Sequence, residues 1–477
     1  MQLSHLYSQQ NLKIMTAQEA NNLVQNIFDN IFNSVTQADS GGGPLMQASS
    51  TMLSLLKPGM AISSRDFANP WTPGNLNGSK DAAINSARLV DDALKLASIY
   101  TESGNSISQL YKQILDGVSV PAQPPNPAIE KQLQDSHDLL FRTIDVTDPD
   151  TGEHQSKIAE TVLYRNYLDN QANYTNARQA YIAAYLEAQK TAGGRNTWPL
   201  IAPSLQVPVK AAYDRWRAES ADKVEQAIAI MNTSSQNALS KAFDNAKHIF
   251  EGYGVTLEES GGLSTPIQRV SLLPSDWHNE HSTTKWTTVD ISGGSSGVSN
   301  TSDYTSYGGS AGFSLGIFSI GGSAGHSKTH KHMSTQTSSL NFSFEYTLVV
   351  IRRPWLVFNL LGTKSWSLGN LYKKGLISNG SKGNQEKEAM PLLPTAFVVA
   401  RKIDISAHWD KSDWDYLQSQ THGGGSVGIG PFSIGGSYES SHTKSSFTSG
   451  FANGHIVAPG VQIIGFISQV VPFCPPA

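Results

Sequence analysis

The spacing of apolar residues along this chain changes its period at Gly252, and this change restricts the possible fold more than any other sequence feature. Before Gly252, apolar residues recur at helical spacing, and the longest run, from Val209 to Phe250, contains neither glycine nor proline. After it, apolar and polar residues alternate, most clearly from Leu340 to Val350, which predicts a half-buried strand. We therefore expect an α+β fold, in which residues 1–255 form an elongated α-helical bundle and residues 256–477 form an antiparallel β domain.

Proline and glycine divide the predicted helical half into pieces. Residues 44–79 contain four prolines, so we expect a loop there with one helical turn around Met52 to Leu56. A proline-rich linker over residues 121–127 then separates earlier helices from later ones. Helical spacing predicts further helices from the capping box at residues 16–19, from Asp81, over residues 128–142 and over residues 157–190.

Overall composition limits the partners and the cellular setting of the chain. The 477 residues carry a formal net charge of −4, so there is no basic excess to neutralise phosphates, and we expect no nucleic-acid partner. A single cysteine, Cys474, excludes an internal disulfide framework and a multi-cysteine zinc site. No signal-like stretch and no run of 18 apolar residues is present. We expect synthesis as a soluble cytoplasmic protein, followed by release and action at a target membrane.

The β half contains a near-repeat rich in glycine and serine. Residues 312–323 align with residues 425–437 if the second copy carries an insertion at its centre. In each copy the apolar residues change from odd to even positions, as a tight turn requires when both strands show their apolar side to one face. We expect two long hairpins, at about residues 285–350 and 402–471. The apolar residues at their tips are Phe313, Leu315, Ile317, Phe318, Ile320, Val427, Ile429, Phe432 and Ile434.

A polar stretch follows the first tip and contains three histidines, His326, His330 and His332. Their shared parity would turn the three rings to one face of a strand, where they could sense pH near neutrality. Two alternatives remain open: a metal site, and histidines that simply occupy a polar strand face.

Motifs that suggest catalysis lack the context that the chemistry needs. The pattern G-x-S-x-G recurs in the β half, but no helix is predicted after any copy, so the strained strand-to-helix turn is missing. Asp410, Asp413 and Asp415 lie in a predicted turn and are explained by solvation. We therefore expect no catalytic residues, no metal and no cofactor, and we do not expect an enzyme.

Strands rich in glycine, serine and threonine with apolar turns resemble the membrane-inserting hairpins of β-pore-forming toxins. Two hairpins separated by sheet strands are more similar to the perforin-like arrangement than to the aerolysin-like one, which uses a single insertion loop. The perforin-like signature, an aromatic-Gly-Thr/Ser-His-aromatic stretch, is absent. The resemblance implies a membrane-inserting, oligomerising pore-forming protein, with a lipid membrane or membrane receptor and copies of itself as partners.

A structural role is the alternative interpretation of the same hairpins. The two tips would then form a shaft or a contact between protomers in a self-assembling or interaction protein. Under either interpretation we expect Arg352, Arg353 and Trp355 to mark the base of the first hairpin rather than a ligand site, with Trp355 buried.

Overall fold

The computed structural model describes most of the chain beyond residue 50. The described residues are 27, 29, 50–96, 100, 102–120, 127–147, 154–189, 191–218, 220–232, 236–283, 286–292, 318–320, 340–369, 372–382, 388–407, 414–415, 427–439 and 444–476.

These residues form the following helices and strands. The helices are α1 (Lys80–Leu89), α2 (Ile107–Gly117), α3 (Pro127–Leu140), α4 (Val162–Gln189), α5 (Ala192–Ala218), α6 (Ala221–Asn232) and α7 (Gln236–Tyr253), with 3-10 turns at Ser64–Phe67 and Phe358–Gly362. The strands of the first half are β1 (Thr51–Ile62), β2 (Asp92–Leu94), β3 (Glu102–Ser106), β4 (Phe141–Thr147) and β5 (His154–Glu160). Those of the second half are β6 (Gly254–Glu258), β7 (Ser264–Gln268), β8 (Ser271–Leu273), β9 (Thr287–Ser292), β10 (Phe318–Ile320), β11 (Asn341–Arg352), β12 (Leu392–Ser406), β13 (Val427–Ile429), β14 (Phe432–Glu439), β15 (Lys444–Thr448), β16 (Gly450–Ala452) and β17 (His455–Val470).

The fold is built on a central antiparallel sheet in which β9, β11, β12, β17 and β1 lie side by side in that order. The predicted alternation after Leu340 is confirmed in β11, where Phe342 and Phe344 are buried and their neighbours are more exposed. Strand β12 is apolar along most of its length and is buried on both faces, as a central strand covered on both sides should be. The pairs β9–β11 and β12–β17 correspond to the open ends of the two predicted hairpins, away from their tips.

Strand β1 corrects the prediction for residues 44–79. Residues 51–62 are neither a loop nor a helical turn, because they pair with β17 from Thr51–Gln469 to Ile62–Val461. The register shifts between Leu55 and Met60. This irregularity contains Pro58, a residue that cannot donate a ladder hydrogen bond. The proline therefore interrupts the strand pairing without ending the strand.

The fold is thus mixed α and antiparallel β, and the predicted bundle over residues 1–255 is not seen as such. Strands β1, β2 and β3 precede most of the helices and belong to the central sheet. The first predicted helix falls on residues that lie outside the described ones, apart from Ile27 and Asp29.

The long helix predicted from Val209 to Phe250 is three helices, α5, α6 and α7. Helix α5 starts earlier than the pattern suggested and contains Pro199, Pro203 and Pro208. Ser220, between α5 and α6, has a φ of 64°, which an α-helix cannot accommodate. The break therefore needs neither glycine nor proline.

Trp355 is buried, as predicted, and packs on aromatic rings of α7 and α2. Its ring centroid lies 5.6 Å from that of Phe250 and 6.1 Å from that of Tyr111. The neighbouring Arg353 is partly buried, and its guanidinium donates hydrogen bonds to the carbonyl oxygens of Pro394 and Val90. Burial lowers the pKa of Arg353 to about 10. Arg353 thus ties the end of β11 to β12 and α1.

Candidate functional site

Four strands of the central sheet end in one row. Asn341 pairs with both Ser292 and Ser406, and Ser406 pairs with His455. We call these four residues the sheet-end row. The chain leaves the sheet at this row twice: the first long segment, residues 293–340, joins β9 to β11, and the second, residues 407–454, joins β12 to β17.

The two long segments contain the same number of residues. In the second segment the chain turns at Gly430 and Pro431, where Ile429 pairs with Phe432. The number of residues from Ser406 to Ile429 equals the number from Phe432 to His455. The turn is therefore at the midpoint of the segment. The tight turn predicted from the change in parity is therefore present in the second copy.

The described parts of the two tips pair with each other. Strand β10 lies beside β13, and Phe318 pairs with Ile429. The number of residues from Phe318 to Asn341 equals the number from Ser406 to Ile429. Asn341 and Ser406 are themselves a pair in the central sheet. The tips thus have the register that β11 and β12 would reach if they continued straight through the sheet-end row. Strands β10, β13, β14 and β15 form a small sheet in that order, which we call the tip sheet.

Side-chain parity is also continuous between the central sheet and the tips. On β11 and β17, the residues on the core side of the central sheet have even numbers, such as Phe342 and Ile456. On β9 and β12, the residues on that side have odd numbers, such as Ile291 and Ile405. Because side chains alternate along a strand, straight continuation would keep these parities. Eight of the nine apolar tip residues have the parity of the core side, and the ninth, Ile317, falls at the midpoint of the first segment, where a turn is expected. Extended arms would therefore carry these eight on one face.

In the structure, however, the second tip is folded back beneath the central sheet. Val427, Ile429, Phe432 and Ile434 are at most 2% exposed. The Phe432 ring centroid lies 4.8 Å from that of Phe344 and 5.6 Å from that of Phe342. These four residues belong to the monomer core here, and their contact with a membrane or a partner stays a prediction.

Two close contacts position the second tip under the sheet. The buried Gln462 side chain of β17 accepts a hydrogen bond from the Ser433 N–H at 2.8 Å and donates one to the Ser433 carbonyl at 2.7 Å. On β1, a Cβ added to Gly59 would lie 2.5 Å from the Pro431 carbonyl oxygen. Glycine at position 59 thus permits the turn to approach the sheet closely.

The return arm of the second segment is folded on itself. Strand β14 pairs with β15, with Ser437 opposite Ser446. Strand β16 then pairs with β17, and the chain turns between them at Asn453 and Gly454, which have φ values of 53° and 79°. Straight continuation of β17 would require both of these pairings to open.

Charged residues cluster at the register shift between β11 and β12. Glu345 accepts a hydrogen bond from Arg401 Nε at 2.7 Å and another from Lys402 Nζ at 2.7 Å. Burial alone would raise the pKa of Glu345, but these hydrogen bonds outweigh it and the pKa is lowered. Arg401 also donates to the Glu280 carbonyl and stacks 4.1 Å above the Trp286 ring, so it holds the segment before β9 against the sheet. The sequence did not predict this cluster, because Glu345 lies far along the chain from Arg401 and Lys402.

The other predicted site residues can be placed only in part. Phe318 and Ile320 lie in β10. Phe313, Leu315, Ile317 and the candidate pH sensors His326, His330 and His332 lie outside the described residues. Among the residues that are described, no group of three His, Cys, Asp or Glu side chains is arranged to hold a metal ion.

No protein-family model, no curated protein and no solved structure matches this chain. Within the described ranges, none of the helices combines the length and the apolar character needed to cross a membrane.

Proposed function

We propose that this protein is a membrane-inserting, oligomerising pore-forming protein that uses its two long segments as amphipathic β-hairpins. The single observation that carries the proposal is the sheet-end row, from which two segments of equal length leave side by side. Their tips are already paired in the register of a straight continuation. Segments with an unrelated role would have no reason to share a length and a register.

The arms of the two long segments are long enough to enter a bilayer while the central sheet remains outside it. A fully extended arm from Ser406 to Ile429 spans roughly 75 Å, at about 3.3 Å per residue. A strand needs only about 9–11 residues to cross the hydrocarbon core. The arms are therefore long enough to cross a bilayer and to bridge the distance from the sheet to its surface.

Insertion through such arms requires the second tip to leave the core and the pairings β14–β15 and β16–β17 to open. Removing Phe432 and its apolar neighbours from beneath the sheet forgoes about 1.5–3 kcal/mol for each large side chain. Lipid would bury the same surface again, and strand pairing between copies would satisfy backbone groups that have no water to bind. The buried tip is thus the soluble form of the segment that enters the membrane.

A second candidate function is a shaft or protomer contact in a self-assembling protein. It is favoured by the shortness of the apolar stretch on each side of the first turn, before His326 and Lys328 follow in the sequence. This stretch is shorter than the roughly 9–11 residues of a membrane strand. Docking of the tips into a neighbouring protein would need no greater length.

A reversible cross-link tests the main proposal. Ser437 and Ser446 are opposite each other in β14 and β15, and paired antiparallel residues have the Cα separation that a disulfide accepts. The variant Ser437→Cys/Ser446→Cys, oxidised, should not release dye from liposomes, and reduction should restore release. Cys474 is buried, and burial raises its thiol pKa to about 12, so it should not exchange with the new pair.

The matched control joins Asn341 to Ser406, a pair that the proposed rearrangement keeps. Asn341→Cys/Ser406→Cys should release dye whether oxidised or reduced. Release by the oxidised Ser437–Ser446 protein at the wild-type rate would contradict the proposal. So would a wild-type protein that releases no dye from any vesicle between pH 5 and pH 8, and assembly without release would favour the shaft.

A further inference from the structure

Exposed apolar side chains concentrate on one short stretch of α5. Of the large hydrophobic residues that are exposed in the described part of the chain, four lie close together in sequence: Leu200, Ile201, Leu205 and Val207. Leu200 is 79% exposed and Val207 is 64% exposed. Clustered exposure of this kind is uncommon on a monomer surface and marks an interaction site more often than scattered single residues do. We call residues 198–208 the α5 patch.

The opposite side of this stretch is held by α4. The Trp198 ring centroid lies 5.4 Å from that of Tyr181 and 5.2 Å from that of Tyr185. Further along, Gln206 Nε2 donates a hydrogen bond to the Tyr181 hydroxyl at 3.1 Å. Trp198, Ala202, Gln206 and Val209 are less exposed than their neighbours and recur at helical spacing. Leu200 and Val207 therefore lie on the side of the helix that faces away from α4, with Ile201 and Leu205 on its flank.

The charges around the patch suit a lipid surface. Residues 196–209 contain no charged residue, while Arg195 lies at one end and Lys210 at the other. Tyr185 of α4, which packs on Trp198 and is 42% exposed, lies beside this stretch. Aromatic residues at the border of an apolar helix face, with cations beyond it, are the arrangement favoured at the level of lipid headgroups. The uncharged stretch is too short to span a bilayer, so the helix would lie along its surface.

The start of α5 is also at the end of the sheet from which the long segments leave. Helix α4 begins beside the far end of β11, where Arg352 Nη1 lies 3.1 Å from Asp169 Oδ1, and it also contacts β9. From Asp169 to Gln189 the helix rises about 30 Å. Strand β11 covers about 36 Å from Arg352 to Asn341. The connection between α4 and α5 therefore lies near the level of the sheet-end row.

We propose that the α5 patch is a membrane-docking surface whose partner is a phospholipid bilayer. The apolar outer face would enter the region between headgroups and acyl chains. Arg195 would lie at headgroup level, and Lys210, which pairs with Asp214 at 2.7 Å, would exchange that carboxylate for a headgroup phosphate. This inference rests on the proposed pore-forming function and adds to it the step that precedes insertion: the patch holds the protein on the bilayer while the long segments unfold from the sheet.

Vesicle sedimentation tests the docking surface independently of pore formation. The variant Leu200→Ser/Val207→Ser should bind phosphatidylcholine/phosphatidylserine vesicles at least about tenfold more weakly than the wild type, because both side chains contribute apolar surface to the bound state. The matched control is Leu76→Ser/Leu263→Ser, which replaces two exposed apolar residues elsewhere. The control should bind as the wild type does. Equal binding by all three proteins, or equal loss in both variants, would overturn the inference.

A fluorescent probe reports on the position of the patch directly. The dye NBD attached to Leu200→Cys should shift its emission to shorter wavelength when vesicles are added, and NBD on Leu263→Cys should not. An unchanged spectrum at position 200 in sedimented protein would overturn the inference. If Leu200→Ser/Val207→Ser instead converts a lipid-free oligomer into a monomer, the patch contacts a second copy of the chain and the lipid assignment is wrong.

The two proposals fail in different ways. A wild-type protein that sediments with vesicles but releases no dye would refute pore formation, while leaving docking by the α5 patch supported. Dye release that is unaffected by Leu200→Ser/Val207→Ser would refute docking and leave pore formation supported.

Discussion

The side chain of Gln462 satisfies both backbone groups of Ser433, accepting from its N–H at 2.8 Å and donating to its carbonyl at 2.7 Å. Gln462 is fully buried in the centre of β17, and Ser433 is the second residue after the turn of the second long segment. A buried amide with two such partners is stable, but an apolar replacement leaves two backbone groups unpaired. This contact therefore controls how firmly the tip is held.

Replacing Gln462 by leucine should loosen the tip. The Ser433 N–H and carbonyl would be buried without partners, at a cost of about 1–3 kcal/mol for each group. We expect faster amide hydrogen exchange in residues 427–435 and earlier dye release from liposomes. Gln469→Leu, on the same strand but partly exposed, is the control and should change neither. Unchanged exchange in Gln462→Leu would show that the contact does not hold the tip.

Phe432→Ala should destabilise the folded protein. The side chain is fully buried between Phe342 and Phe344, so truncation leaves a cavity and is expected to lower the free energy of unfolding by about 3–5 kcal/mol. Denaturant unfolding measures the change. Phe473→Ala removes a ring that is 42% exposed and should cost much less. Equal effects of the two substitutions would mean that the tip is not part of the core in solution.

Gly59→Ala adds a single methyl group at the contact between β1 and the turn. Because this carbon would lie 2.5 Å from the Pro431 carbonyl oxygen, the turn must move, and overpacking of this kind costs about 1–3 kcal/mol. Gly450→Ala is the control, since an added Cβ there meets nothing within 4 Å. We expect only Gly59→Ala to lower the melting temperature and to speed dye release. A stable Gly59→Ala protein with wild-type release would contradict the described packing.

Much of the β half could be predicted from local pattern. The alternation from Leu340 onward predicted β11, and the change of parity between Ile429 and Phe432 predicted the turn at Gly430 and Pro431. Both signals depend only on neighbouring residues, because a strand period and a tight turn are encoded within a few positions.

Features that depend on distant contacts could not be predicted in this way. Strand β1 contains Pro58, and a proline in this local sequence predicts a loop. Only the pairing of β1 with β17 shows that the strand continues past Pro58. The burial of the second tip depends on Gln462 and Gly59, and both lie outside the segment that they hold in place. The equal lengths of the long segments become visible only once the strand ends at the sheet-end row are known.

Protonation of His278 should weaken the fold below neutral pH. Burial lowers the pKa of His278, and nearby Asp276 only partly opposes this. The unfolded chain therefore binds the proton at a higher pH than the folded one, so the free energy of unfolding falls as pH drops below the ordinary histidine pKa of 6.5. Urea unfolding at pH 7.5 and pH 5.5 should show a smaller difference for His278→Gln than for the wild type. An identical difference would exclude this contribution.

The two long segments have equal numbers of residues, so shortening one of them should disturb the pairing of their tips. If both hairpins extend side by side, removing two residues from each arm of one segment withdraws its tip by about 7 Å and breaks the pairing of Phe318 with Ile429. Deletion of residues 295–296 and 337–338 should therefore slow dye release sharply, and so should deletion of residues 419–420 and 441–442 in the second segment.

Combining both deletions restores equal lengths and the same register, and keeps the parity of every tip residue, so the combined variant should release dye faster than either single one. Circular dichroism and thermal unfolding would confirm that all three variants fold. Independent roles for the two segments predict the opposite order, with the combined deletion the slowest, because each loss would then add to the other.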